Sequence, residues 1–204
     1  AYNPAAKIQE FIRESVLEEH DVNFEKLKDA KKNIEQINSR LELIEEEIGD
    51  LDAILKIYAR ARQAMADSGN PTQWGDHFPP QELLEEDIDS NRLFLYLVNG
   101  ELEGVFAFIL GPDPTYARIE DGKWLNDTLP YGTIHRLASA GDRRGVASEV
   151  IAWCLEHCES LRADTHADNK IMQHLLEENG FTRCGIIHVE DGTPRIAYLS
   201  LIHI

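Results

Sequence analysis

The stretch that decides the reading runs from residue 132 to 148, GTIHRLASAGDRRGVAS. Thr133 to Ser139 reads as a strand. Gly141 to Arg144 is a polar loop. Val146 then opens a helix buried along Val146, Val150, Trp153, Cys154 and Leu161. A strand feeding a glycine-containing loop into a helix N-terminus makes an anion site, because unpaired N–H groups point outward and the helix dipole favours negative charge. Gly145 and Ala147 are small, so a diphosphate can approach the backbone. Arg143 and Arg144 add positive charge.

Working outward, Leu161 to Thr165 reads as a short strand and Asn169 to Glu178 as a helix stopped by Asn179-Gly180. Phe181 to Val189 and Arg195 to Ile202 are strands around the turn Glu190-Asp191-Gly192. On the other side, Arg92 to Val98, Asn99-Gly100 and Glu101 to Leu110 form a hairpin pattern. A long loop, Gly111 to Leu129, joins it to the deciding strand. Before the hairpin lie a short acidic helix, Gln81 to Asp89, and the loop Thr72 to Pro80. Earlier still, Asp50 caps a helix along Leu51, Ile54, Leu55, Tyr58, Ala61 and Met65, and Leu41 to Ile44 reads as a strand. The first residues read as two helices, one opened by Asn3-Pro4 and the other striped by Phe24, Leu27, Ile34 and Ile37, with a break at His20 to Asn23.

The chain has 204 residues, 20 basic and 37 acidic, for a net charge of −17. So acidic a chain is a poor binder of nucleic-acid backbones or anionic membranes, and it attracts cations, amines among them. The charge is uneven: residues 41–90 carry most of the excess, which suggests residues 1–39 as a helical extension and 40–204 as the main domain. Three cysteines are too few for a disulfide framework. With no long apolar run and no signal-peptide pattern at the start, the expectation is a soluble, cytoplasmic protein.

The order of elements, the loop Asp142-Arg143-Arg144-Gly145-Val146-Ala147, and Asn169 followed by Gly180-Phe181 together resemble the GNAT N-acetyltransferase superfamily over residues 40 to 200. Asp142 stands where that family's loop has Gln or Arg. The resemblance implies an α+β fold, a central mixed and mostly antiparallel sheet flanked by helices, here with an N-terminal helical pair. It implies acetyl-CoA as co-substrate, with no metal. Leu137, Ala138 and Ser139 would hold the pantetheine arm. Arg143, Arg144, Gly145, Val146, Ala147, Ser148 and Asn169 would hold the rest of the cofactor. An amine would attack the thioester directly, which calls for a base and an acid. His135 and His166 are both candidates for the base, and each is also readable as a hydrogen-bonded structural residue. Leu176 stands where many members have a tyrosine acid, so Tyr131 is the candidate replacement.

Trp74, Asp76, His77 and Glu82, with Glu85, Glu86 and Asp87, fall where this family builds its acceptor wall, and their carboxylates would attract a cationic amine. A solvated acidic helix is the alternative. The acceptor is a small amine, a protein N-terminus or a lysine, and a homodimer is compatible with the resemblance. Cys154, His157 and Cys158 share a helix face but read as fillers rather than metal ligands. The other functional reading is an acyl-CoA-binding module with little turnover, whose N-terminal helices recruit a partner.

Overall fold

The computed structural model describes residues 24–201. The chain divides into two compact units after Asp50. Helix α1, Phe24–Asp67, contributes residues to both. The strand expected at Leu41 to Ile44 and the cap expected at Asp50 are corrected here, because both lie inside this helix. The alternation Leu41-Glu42-Leu43 is too short to set a strand. Leu41, Ile44 and Ile48 recur at helical spacing among glutamates of good helix propensity. Residue 40, where the charge shifts, also falls inside α1. The expected helix ahead of His20 lies outside the described residues. No described helix is long and apolar enough to cross a membrane.

The second unit is built on a six-stranded sheet in the order β1-β2-β3-β4-β6-β5. The strands are β1 Leu93–Val98, β2 Glu101–Leu110, β3 Gly132–Ser139, β4 Ser160–Thr165, β5 Thr182–His188 and β6 Pro194–Leu201. Helices α2 Gln81–Asp89, α3 Val146–Glu156 and α4 Lys170–Glu178 complete it. Helix α3 stops short of the expected Leu161, which is buried instead as a strand residue of β4. An apolar side chain satisfies either period, and here the sheet takes it.

The core lies in separate clusters. Phe106, Phe108 and Ile134 pack against Val150, Ile151 and Cys154 of α3 and Leu176 of α4. Val105 and Ala138 pack against Ile54, Ile57 and Tyr58 of α1 and Leu84 of α2. A third cluster seats Tyr116 and Trp124, from the long loop, on Cys184, Ile187, Ala197 and Leu199. Each fully buried large apolar side chain contributes roughly 1.5–3 kcal/mol. A loop of this length is therefore held down rather than loose.

Two irregularities in β3 make the site. All neighbouring strands are antiparallel except β3 and β4, which pair in parallel only at Gly132↔Leu161 and Thr133↔Arg162. Beyond Thr133 the strands part. On its other edge, β3 pairs Ala138 with Val105 and His135 with Ala107, so Arg136 and Leu137 together oppose Phe106. This bulge resets the in–out alternation, so Ile134 and Leu137 both pack on the cluster beneath α3 and α4. Arg136 sits at φ 52, a left-handed conformation that costs a non-glycine residue on the order of 1–3 kcal/mol. The Tyr58 hydroxyl donates to the Arg136 carbonyl at 3.0 Å, and Asp87 of α2 pairs with the Arg136 guanidinium. Both side chains of that ion pair are largely buried.

Candidate active site

The parting of β3 and β4 opens a cleft of about 750 Å³. His135, Arg136 and Leu137 line it from β3, Ala163 and Asp164 from β4, and Asn169, Met172 and Leu176 from α4 and its cap. Gln73, Trp74 and Phe78 close one side, and Glu190, Asp191 and Arg195 another.

His135 is held from two directions. Its Nε2 lies 2.8 Å from Asp113 Oδ2, and its Nδ1 lies 4.0 Å from Asp164 Oδ1. Burial pushes the Asp113 carboxyl up. The hydrogen bond and charge of His135, with donation from the Thr115 N–H at 2.9 Å, outweigh that and hold it below its ordinary value. Asp113 is then an ionised, acceptor-only partner at neutral pH. Neutral His135 carries its proton on Nε2, and Nδ1 keeps its lone pair. Asp164 Oδ1 already accepts from the Tyr116 hydroxyl at 2.5 Å, and its Oδ2 lies 3.9 Å from Arg195 Nε. Burial, then the charge of Asp164, pushes the Tyr116 hydroxyl well above its ordinary value, so it stays a donor. An imidazolium formed at His135 would lie between two carboxylates.

The loop after β3 is braced by charge. Asp142 accepts from Arg60 at 3.1 Å. Arg143 pairs with Glu149 at 2.6 Å, and Glu149 also accepts from Tyr96. Arg144 is exposed and has no ion-pair partner among the described residues. Gly145 caps α3 at φ 87, and a Cβ there would meet only Glu149 Oε1, at 3.9 Å. The turn needs glycine for its backbone angle, and the space outside it is open. Val146, the first residue of α3, is buried, while Ala147 and Ser148 beside it are half-buried. Ser148 Oγ accepts from Asn179. The edge of β3 that faces β4 lacks ladder partners through Leu137, Ala138 and Ser139. These features fit a diphosphate at the helix start and an amide-bearing arm along the open strand edge.

The other expected site residues fall elsewhere. His166 does not line the cleft, and its Nδ1 accepts from the Asp168 N–H at 3.2 Å. The Tyr131 hydroxyl accepts from the Asp113 N–H at 3.0 Å, and its ring stacks under Arg162, whose guanidinium lies 3.8 Å away. Tyr131 thus positions the loop that carries Asp113. Trp74 lines the cleft, whereas Asp76, His77 and Glu82 are exposed and lie outside its lining. Asp87 is buried against Arg136. Asn169 caps α4 by accepting from the Met172 N–H, and its amide donates to Gln73 Oε1 at 2.9 Å. Burial pushes the Cys154 thiol up to about 12, and Cys158 Sγ donates to the Cys154 carbonyl. Among the described residues no cluster of three or more metal-ligating side chains occurs.

Asp164 and Arg195 form the floor of the cleft, Asp113 and Tyr116 stand behind it against His135 and Asp164, and sequence reasoning missed all four. Asp113 had one local signal: Asp-Pro-Thr is a turn pattern, and its carboxylate caps the short helix Pro114–Tyr116.

Searches with family models and among curated proteins find no match. Among solved structures, a GNAT-family acetyltransferase from Streptococcus agalactiae is 30% identical, with a TM-score of 0.69 over 76% of this chain and 92% of that one. The chain belongs to the GNAT acetyltransferase family. Two more distant structures share the fold. A GNAT-family acetyltransferase from Listeria monocytogenes is 17% identical, with a TM-score of 0.56 over 76% of this chain and 90% of that one. A ribosomal-protein-alanine N-acetyltransferase from Brucella melitensis is 17% identical, with a TM-score of 0.51 over 76% and 95%.

Proposed function

We propose that the protein transfers an acetyl group from acetyl-CoA to a primary amine, by direct attack of the amine on the thioester. The observation that carries this reading is the parting of β3 from β4 after Thr133, with His135 lining the cleft and paired with Asp113, and with the Gly145 turn following β3 in the chain. The α3 N-terminus and Arg144 would hold the pyrophosphate. Arg143 is committed to Glu149, and Arg60 offsets the charge of Asp142. Leu137, Ala138 and Ser139 would offer their backbone groups to the pantetheine arm.

His135 Nδ1 takes a proton from the ammonium of the acceptor. The freed amine nitrogen bonds to the acetyl carbon, the carbon–sulfur bond breaks, and the nitrogen's second proton passes through water to the departing thiolate, while His135 returns its own proton to solvent. Leu176 is buried in the core and has no proton to give. Asp113 and Asp164 stabilise the imidazolium in the meantime, which favours proton removal in a site partly shielded from solvent. Asp164 on the floor and Glu190 and Asp191 at the rim support a cationic acceptor, in place of the wall first expected at Asp76, His77 and Glu82.

A thermal melt with acetyl-CoA tests the donor. At a hundredfold excess over Kd, binding adds roughly 2.7 kcal/mol, which for a chain of this size is roughly 5–10 °C in Tm. No shift at millimolar acetyl-CoA removes the reading. Thiol release with a panel of primary amines tests turnover. A melting shift without thiol release favours the second reading, an acyl-CoA-binding module, which the apolar Leu176 supports.

A further inference from the structure

Lys28, Asp29 and residues 31–39 of α1 are exposed all round the helix. Two of them are large apolar side chains, Ile34 at 57% and Ile37 at 58% exposure. The sequence places them in a repeat. Leu27, Ile34, Leu41 and Ile48 fall seven residues apart, and Ala30, Ile37 and Ile44 fall seven apart, offset by three. These are the a and d positions of consecutive heptads, an apolar period of 3.5 residues. A helix lying on a globular core shows a broader stripe with a period near 3.6. A lone helix in water is marginal without a partner along such a seam.

The charges say which partner. Between residues 24 and 40, Lys26, Lys28, Lys31, Lys32 and Arg40 outnumber Glu25, Asp29 and Glu35. Between 41 and 50 there are five acidic residues, Glu42, Glu45, Glu46, Glu47 and Asp50, and no basic one. The segment is basic at its start and acidic at its end, so it complements a reversed copy of itself.

We propose that residues 24–50 pair with the same segment of a second copy of this chain as an antiparallel two-stranded coiled coil, making the protein a homodimer. This does not depend on the acetyl-transfer reading. With Ile34 opposite the partner subunit's Ile37, the flanking position of Lys26 meets that of the partner subunit's Glu47, twice by symmetry. A parallel pair would set Lys26 beside the partner subunit's Lys31, and Glu47 beside the partner subunit's Asp52, like against like.

Sedimentation of the full chain at micromolar concentration tests it. The expected mass is twice the 23.2 kDa of one chain. Ile34→Lys with Ile37→Lys should give the mass of one chain. Its near-ultraviolet circular dichroism should be unchanged, because Trp74, Trp124 and Trp153 all lie in the other unit. Lys26→Glu should weaken the dimer about threefold to tenfold, and adding Glu47→Lys should restore it. A monomeric wild type overturns the proposal. A dimer that survives the double lysine substitution also overturns it. A dimer tightened by Lys26→Glu overturns the antiparallel arrangement.

Discussion

The turn at the start of α3 follows β3 in the chain, the floor of the cleft gathers around His135 of β3, and the two are built in opposite ways. The turn is local. Gly141, Gly145 and the first residues of α3 are close in sequence, and what matters is the left-handed backbone angle at both glycines, with open space outside Gly145 and the Arg60 guanidinium close against Gly141. The floor is assembled from afar. His135 meets Asp113 across 22 positions, and Asp164 and Arg195 arrive on β4 and β6. A change in the turn therefore acts through shape. A change on the floor acts through charge in a partly buried setting, where an unmatched group is costly.

The largest effect expected is at the turn. Gly145→Glu sets a side chain on a left-handed backbone and a negative charge where the diphosphate would lie, and should abolish the acetyl-CoA melting shift. Wild-type affinity in that variant would break the assignment of the turn. On the floor, His135→Ala should lower kcat by about 10²–10⁴-fold while leaving KM for acetyl-CoA nearly unchanged. Unchanged turnover would move the base to His166 or water.

Asp113→Asn sharpens the floor side. An amide in place of the carboxylate can donate to Nε2 and drive the proton onto Nδ1. Turnover should fall by roughly tenfold to a hundredfold, the value of a hydrogen bond to a charged group. A variant at wild-type rate would show that Asp113 does not set the tautomer.

Asp87→Ala leaves the Arg136 guanidinium buried without its carboxylate. Breaking such a pair costs about 3–5 kcal/mol, so Tm should fall by roughly 10 °C. A loss of only a degree or two would mean that the bulge does not lean on α2.

The smallest effect is in acid. The Asp113 carboxyl is held below its ordinary 3.8, so it contributes stability that is present above that pH and lost as pH falls through its folded value. The stability gap between wild type and Asp113→Asn should narrow on acidification below that pH, as read by denaturant melts. A gap that widens would contradict the sign.

Most strands, the hairpin, α2, the α3 start and α4 were legible because apolar period and punctuation are local signals. The glycine turn was legible for the same reason, and His135 was named from its place on β3. The α1 region was misread because the alternation at Leu41 to Ile44 resembles a strand over a window too short to decide. On the acceptor side, only Trp74 of the four residues first named lines the cleft. Exposed acidic residues such as Glu82 attract attention by composition, yet composition does not say which way a helix face turns.

By itself, the sequence determined the strand–glycine loop–helix unit and the cap at Asn169, since these depend on neighbours along the chain and on φ values that few residues adopt. Only the tertiary structure decided that β3 leaves β4 after Thr133, that a bulge at Arg136 is clamped by Tyr58 and Asp87, and that Asp113 and Asp164 flank His135. Those contacts join segments whose order in the chain carries no trace of their distance in space. A carboxylate reads the same in sequence whether water or a buried imidazole faces it, and the fold alone makes that choice.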